Sequence, residues 1–482
     1  MVRRPHQATD GATATYRRAS FWLDDLVVSG RDDLAPRAPL TTDARFDVCL
    51  VGGGLTALWT AYSLAQADPT LRIAVVEREI AGFGASGRNG GWCSALFPRS
   101  AGSLERDHGF DAAVAMRRAM VDTVDEVGRV VRVEGIDCDF EQGGTIVFAR
   151  SGVQHDAARA DVAEMRRFGV DRPAYWDGRT VADRFGVTGL EDGDVGAMFD
   201  PACARVHPGK LVRGLANVVE SLGVSVFERT EVIDWSAGQV RIRALDSGAE
   251  GVVTARHVII ALEGYGPQRP RVRRRILPLY SLMIATEPLP DDVWREIGIE
   301  HGQTFSDYRH LLVYGQRTAD NRIAFGGRGA RYHWGSVVDP VFEHVDEVFE
   351  HLRDALHDLF PALAGSRITH RWGGPLGVAR DWHATASYNP KTGVGFAGGY
   401  VGDGLSTTNL AGRTLGDLVL GRDTELTDLP WANHRSPLWE PEPLRFVGAN
   451  LGILGMQFAD LEERVTKRPS LTARLIAPLT GH

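Results

Sequence analysis

Residues 47–65 read DVCLVGGGLTALWTAYSLA. A short apolar run meets three consecutive glycines, and then apolar residues recur at helical spacing: Leu55, Leu58, Tyr62 and Leu64-Ala65. The run at 45–51 reads as a buried strand and 55–66 as a helix. "LRIAVVE" at 71–77 reads as a second strand, so the segment opens a β–α–β unit. A turn this bare between strand and helix is found where another backbone, or a ligand, must come close.

The pattern Gly52-Gly53-Gly54-Leu55-Thr56-Ala57 has the form GxGxxA in the context that gives it meaning. The first glycine permits the tight turn, the next two let the backbone approach a pyrophosphate, and the small Ala57 lets helix and strand pack closely. The helix N-terminus offers unbonded N–H groups and the positive end of its dipole to the phosphate charge. Glu77 stands 23 residues beyond Gly54, where a ribose-binding carboxylate belongs, with Arg78 beside it. The motif alone does not choose between FAD and NAD. A nicotinamide domain would continue into a crossover helix, whereas here "GFGASGRNGGW" follows at 82–92. Its Ala85, Ser86, Arg88, Asn89, Gly90 and Gly91 suit a second approach to the same cofactor through backbone N–H groups.

The chain has 482 residues, a formal net charge of −8 and 55 glycines. That length implies two or three folding units. An acidic balance without a basic stripe excludes a nucleic-acid surface. Lys210, Lys391 and Lys467 are the only lysines. Cys49, Cys93, Cys138 and Cys203 are scattered without metal spacing, so no metal site is expected and a reducing, cytoplasmic setting is. Asp24 and Asp25 interrupt the apolar residues after Arg17-Arg18, so no signal peptide is expected, and no apolar run is long enough for a membrane span.

Further along, 107–134 and 154–168 read as helices and 143–149 as a strand. Residues 207–235 read as helix, strand, turn and strand, and 255–266 as an apolar strand ending in glycines, with Ala261 at its tip. Segments 276–289 and 321–332 read as long antiparallel strands, 340–359 as a helix, and 393–421 as strand, glycine turn and helix. Residues 1–40 read as a polar, extended arm, and 430–482 as a Pro- and Trp-bearing extension that becomes helical.

Taken with "LVYGQRTADNRIAFGGR" at 312–328, "RWGG" at 371–374 and "GGYVGDG" at 398–404, the motifs at 52–57 and 85–91 resemble the D-amino-acid-oxidase/glycine-oxidase class of FAD enzymes, most similar to its γ-glutamylputrescine oxidase branch. The resemblance runs from about residue 20 to 425. It implies an α/β (overall α+β) fold: a Rossmann-like FAD domain from 41–99, 196–270 and 365–425, and an inserted substrate domain with a large antiparallel sheet from 100–195 and 271–364. An arm at 1–40 and an extension at 426–482 complete the chain. It implies noncovalent FAD, with Gly402, Asp403, Gly404 and Leu405 beside the flavin and Val232 beside the adenine. The helix opening at Gly402–Gly404 independently offers N–H groups to charge on a reduced flavin. Two departures stand out. Ser406 stands where sarcosine oxidases carry a lysine, and Val401 where glycine oxidases place an arginine for the substrate carboxylate.

Hydride transfer from a C–N bond requires a neutral amine held over the flavin, and burial disfavours the ammonium. Tyr280, Tyr314, Arg328 and Trp372 are the candidates for lining that place, followed by His310 and His370. Arg328 or Arg309 could hold an anionic group. Cys93 reads as a buried structural thiol. The expected reaction is oxidation of an amine or amino-acid-like substrate, with O2 or another acceptor. The alternatives are a 2-hydroxy-acid dehydrogenase on the same fold and the flavin subunit of a larger complex. Oligomeric state is not legible.

Overall fold

The computed structural model describes residues 13–190 and 195–480. Two eight-stranded sheets organise it. In the first, Ala44–Val51 lies between two parallel neighbours, Ile73–Val76 and Glu250–Ile260. Ser225–Phe227 extends one side and Val394–Gly398 the other, both parallel, and Thr385–Asn389 pairs antiparallel at the far edge. The hairpin Thr230–Ser236 and Gln239–Ala244 folds onto Glu250–Ile260. The central strands are buried on both faces, which is why they read as unbroken apolar runs. Helices Leu55–Ala67 and Gly404–Leu420 cover one face together. Gly412 lets them touch, since a Cβ there would lie 2.5 Å from the Trp59 backbone.

The second sheet runs, in spatial order, Ile368–Val378, Leu277–Thr286, Ile323–Gly327, Val313–Arg317, Thr304–Asp307, Thr145–Ala149, Gly196–Asp200 and Ala174–Trp176. It is antiparallel except between Thr304–Asp307 and Thr145–Ala149. Two of its strands, Gly196–Asp200 and Ile368–Val378, fall in segments that the sequence boundaries assign with the FAD-binding unit. The first pairs on both sides with strands of the second sheet, and the second lies at its edge beside Leu277–Thr286.

From residue 13 on, the N-terminal segment is not an extended arm. Its described part includes the helix Phe21–Val28, capped by Ser20, whose side chain accepts the Leu23 N–H. Phe21, Trp22, Leu23 and Leu26 are buried. The surrounding Arg and Asp residues hide a short apolar helix from a composition reading. Trp22 donates its indole N–H to the Asn89 carbonyl at 2.8 Å, and Ser20 donates to the Gly87 carbonyl at 2.8 Å, so this helix fastens the glycine-rich loop. The extension forms helices Leu444–Thr466 and Leu471–Thr480, preceded by Trp439, which donates to the Val378 carbonyl. No described helix is long and apolar enough to cross a membrane.

Trp22 is 1 % exposed. Trp22→Ala is therefore expected to destabilise the protein by about 3–5 kcal/mol in chemical denaturation. An unchanged midpoint would return the segment to the status of a loose arm.

Candidate active site

The turn after Ala44–Val51 is built for close approach. Gly52 has φ +105°, and a Cβ there would lie 2.7 Å from the Ala261 carbonyl oxygen. The Gly53 N–H donates to the Glu77 carboxylate at 2.6 Å and the Glu79 N–H to the same group at 2.8 Å. Ser86 accepts the Leu55 N–H at 2.9 Å, so the first free donor of the helix already faces a hydroxyl on the second glycine loop. Burial pushes the Glu77 carboxyl up to about 7 against the lowering effect of its two backbone donors.

A cavity of about 360 Å³ starts at this turn. Every residue proposed above for the cofactor borders it except Gly91. At Gly91 the space a side chain would need is taken by Gln316, whose amide donates to the Gly90 and Val206 carbonyls. Gly91 therefore joins the loop to the second sheet. Arg88 borders the cavity, but its guanidinium is engaged with Glu343 at 2.7 Å and with the carbonyls of Phe83 and Gly373. Its charge holds the fold together and is not directed at a phosphate.

Of the four catalytic candidates, Tyr314 and Arg328 border the cavity. Trp372 does not. Its indole N–H donates to the Arg88 carbonyl at 2.9 Å, and its ring packs with Phe21 and Trp22. Tyr280 does not either. Its hydroxyl accepts the Asp339 N–H, its ring meets His333 and Phe342, and it borders a second cavity. His310 and His370 face Glu463 and Asp24. Arg309 is held by Asp307 through two contacts of 2.6 Å. Cys93 is buried and does not border the cavity, and burial pushes its thiol up.

Three residues missing from the sequence reading belong to the site. Ser281 borders the cavity; its hydroxyl lies 2.8 Å from that of Tyr314 and donates to the Gly327 carbonyl. Tyr400 bonds Thr56 at 3.0 Å, tying the late turn to the first one. Glu263 accepts the N–H groups of Gly377, Gly399 and Tyr400 at 3.2, 3.0 and 3.3 Å. A signal for it existed, since it follows an apolar strand and precedes glycines, as Glu77 does. Outside the cavity, His108, His383 and His434 bring one ring nitrogen each within 4.8 Å of one another, and these donors could share a metal ion that the scattered cysteines gave no reason to expect.

A family model described as "FAD dependent oxidoreductase" (DAO) matches residues 47–418. The chain belongs to that family. The DAO match spans both glycine loops, both sheets and the late turn. The chain is 31 % identical over 401 residues to the γ-glutamylputrescine oxidoreductase of Escherichia coli, covering 82 % of this chain and 88 % of that protein. It is 29 % identical to the probable oxidoreductase OrdL of Haemophilus influenzae, covering 81 % and 86 %. The glycine oxidase of Geobacillus kaustophilus superposes with a TM-score of 0.67 at 19 % identity, covering 81 % of this chain and 99 % of that one. As a member of that family it is an FAD-dependent oxidoreductase. The residues present fit that cofactor. The cradle at Gly52–Gly54 has no room for a Cβ, and the Glu77 carboxylate waits beside it.

Two outcomes follow. Glu77→Ala is expected to weaken FAD binding by about 1–3 kcal/mol in a titration of the flavin-free protein; unchanged affinity would make Glu77 a bystander. Glu263 is pushed up to about 7 by burial. A carboxyl raised in the fold binds more protons folded than unfolded, so its contribution is complete below its unfolded value and is lost as pH rises through about 7. The flavin-free protein should therefore lose melting temperature between pH 5 and 8 faster than its Glu263→Gln variant. Parallel curves would contradict the assignment.

Proposed function

We propose that the chain oxidises the C–N bond of an amine to an imine, which water then hydrolyses, and that plain α-amino acids are poor substrates. The late turn carries this reading. Val401 is buried there at 2 % exposure. Its carbonyl accepts an Arg328 N–H at 2.7 Å and its own N–H donates to Gly377. A carboxylate brought to this turn would meet a valine side chain and a carbonyl oxygen; the turn's own residues offer it no cation, and Arg328, which comes from another strand, already donates to that carbonyl. Val401 also has φ +56°, a conformation that β-branched residues rarely adopt. Such strain costs about 1–3 kcal/mol and persists where the surroundings over-determine it.

Bound FAD supplies the hydride acceptor. The chain's own residues prepare the donor. Leu312, Pro375 and Leu376 form apolar walls. These favour the neutral amine over the ammonium. Ser281 has a single hydroxyl proton and gives it to the Gly327 carbonyl, so the Tyr314 hydroxyl donates to Ser281. That leaves the Tyr314 oxygen as an acceptor for a substrate N–H and fixes the orientation of the nitrogen. Burial keeps the phenol protonated by raising its pKa. The Tyr314 ring reaches this place because Gly90 and Gly326 have no side chains: a Cβ would lie 2.4 and 2.9 Å from it.

A second reading has one observation in its favour. Among the described residues no carboxylate forms an ion pair with Arg328, which would let it grip an amino or hydroxy acid. Anaerobic mixing with a panel of amines, α-amino acids and 2-hydroxy acids separates the two. The expected result is flavin bleaching by amines, with Tyr314→Phe slowing it about 10- to 100-fold, the range of a lost positioning contact. Bleaching by a simple amino acid and by no amine would establish the second reading. Oxygen uptake with the reducing substrate then tells O2 from another acceptor.

A further inference from the structure

A second cavity of about 300 Å³ meets the first at Arg328 and Leu376, which border both. Its floor is the second sheet, through Leu277, Leu279 and Val378, and Trp382 and Trp439 close its sides. Its roof is the extension helix Leu444–Thr466, which presents Gly448, Ala449, Gly452, Ile453 and Met456. This roof lies beyond residue 418, where the family match ends, so it is a property of this chain's extension. The charged groups on the rim are already neutralised: Arg380 lies 2.9 Å from Glu440, and Arg445 lies 3.0 Å from Glu442. What remains unpaired among the described residues is the Arg328 guanidinium at the junction.

We infer that the extension builds an apolar subsite for the substrate, continuous with the flavin cavity past Arg328, and that the preferred substrates are amines bearing an aliphatic or aryl tail. The inference rests on the amine reading for the reacting end alone. The subsite itself follows from the shape and chemistry of the second cavity. A tail placed there leaves water for a wall of leucine, methionine and tryptophan, which is favourable in proportion to the apolar area buried. A polar group between tail and amine would pass Arg328, whose remaining N–H groups have no protein partner among the described residues. The narrow side chains of the roof are what make the room. A Cβ added at Gly448 or Gly452 meets no atom within 4 Å.

Calorimetric titration of the FAD-loaded protein with straight-chain carboxylates, butanoate to decanoate, varies the tail without turnover. The expected Kd falls about three- to fourfold per methylene until the compartment is full. Gly452→Leu fills that space from within a helix where leucine is favoured over glycine, and Gly448→Leu is its independent repeat. In each, the decanoate-to-butanoate affinity ratio is expected to drop about tenfold or more, as for overfilling a packed site. No binding, binding without length dependence, or the same dependence in both variants overturns the subsite. Flavin bleaching by the matching n-alkylamines keeps the two readings apart. Length-dependent carboxylate binding with no bleaching by any amine would sink the amine reading and leave the subsite standing.

Discussion

The carboxyl of Glu263 is the joint on which the site depends. It follows the strand Glu250–Ile260 of the first sheet and accepts from Gly377 on the second sheet and from Gly399 and Tyr400 on the late turn. Three chain segments that meet at one cavity are thus held by one group. Each donor left unmet in a buried place costs about 1–3 kcal/mol, so the arrangement tolerates no apolar replacement. The same burial that makes the bonds strong also makes the charge costly and pushes the carboxyl up to about 7. From this joint the late turn inherits its geometry: the strained Val401, the Arg328 contact, and the helix start at Gly404.

The glycine-rich loop is held by a different device. Four successive carbonyls, Gly87 to Gly90, each accept a proton from a side chain distant in sequence: Ser20, Trp372, Trp22 and Gln316. The Arg88–Glu343 pair adds an ionic link. A loop of small residues has the largest conformational entropy to lose. Here that loss is offset by donors on three rigid elements, so the loop is ordered although its own sequence gives it no regular structure. The N-terminal helix has its role for this reason: it supplies two of the four donors.

The legible part of the site was the local part. The glycine turn, Glu77, the second loop and the late turn are short stretches whose chemistry lies in sequence neighbours, and all of them reach one cavity apart from Gly91. The candidates that lie off the first cavity do so for reasons of face. In Leu277–Thr286, Tyr280 alternates with Leu282 and Ile284 toward the core beneath the sheet, whereas Ser281 is the residue that looks into the cavity. Successive strand residues point to opposite faces, so the right strand with the wrong parity gives the wrong residue. Trp372 pairs with Met283 and shares its face with the N-terminal helix, an element that composition had concealed. Arg88 was ambiguous because its acid, Glu343, is brought to it only by the fold, whereas the acid that holds Arg309 is its sequence neighbour Asp307.

Arg328 differs from both in what surrounds it. Desolvation lowers its pKa, and only partial compensation is present: the Val401 carbonyl, the Trp382 ring 5.4 Å away and the field of Asp403. A buried guanidinium with one hydrogen bond and no ion pair among the described residues is an unstable element unless another group completes it. Asp403 acts on it only through its field, since it forms no ion pair with the arginine. A polar group that accepts from Arg328 would offset that cost, which would favour binding there over binding elsewhere in the cavity. Because Arg328 borders both cavities, a group that pairs with it would lie between the reacting end of a substrate and the space beneath the extension helix.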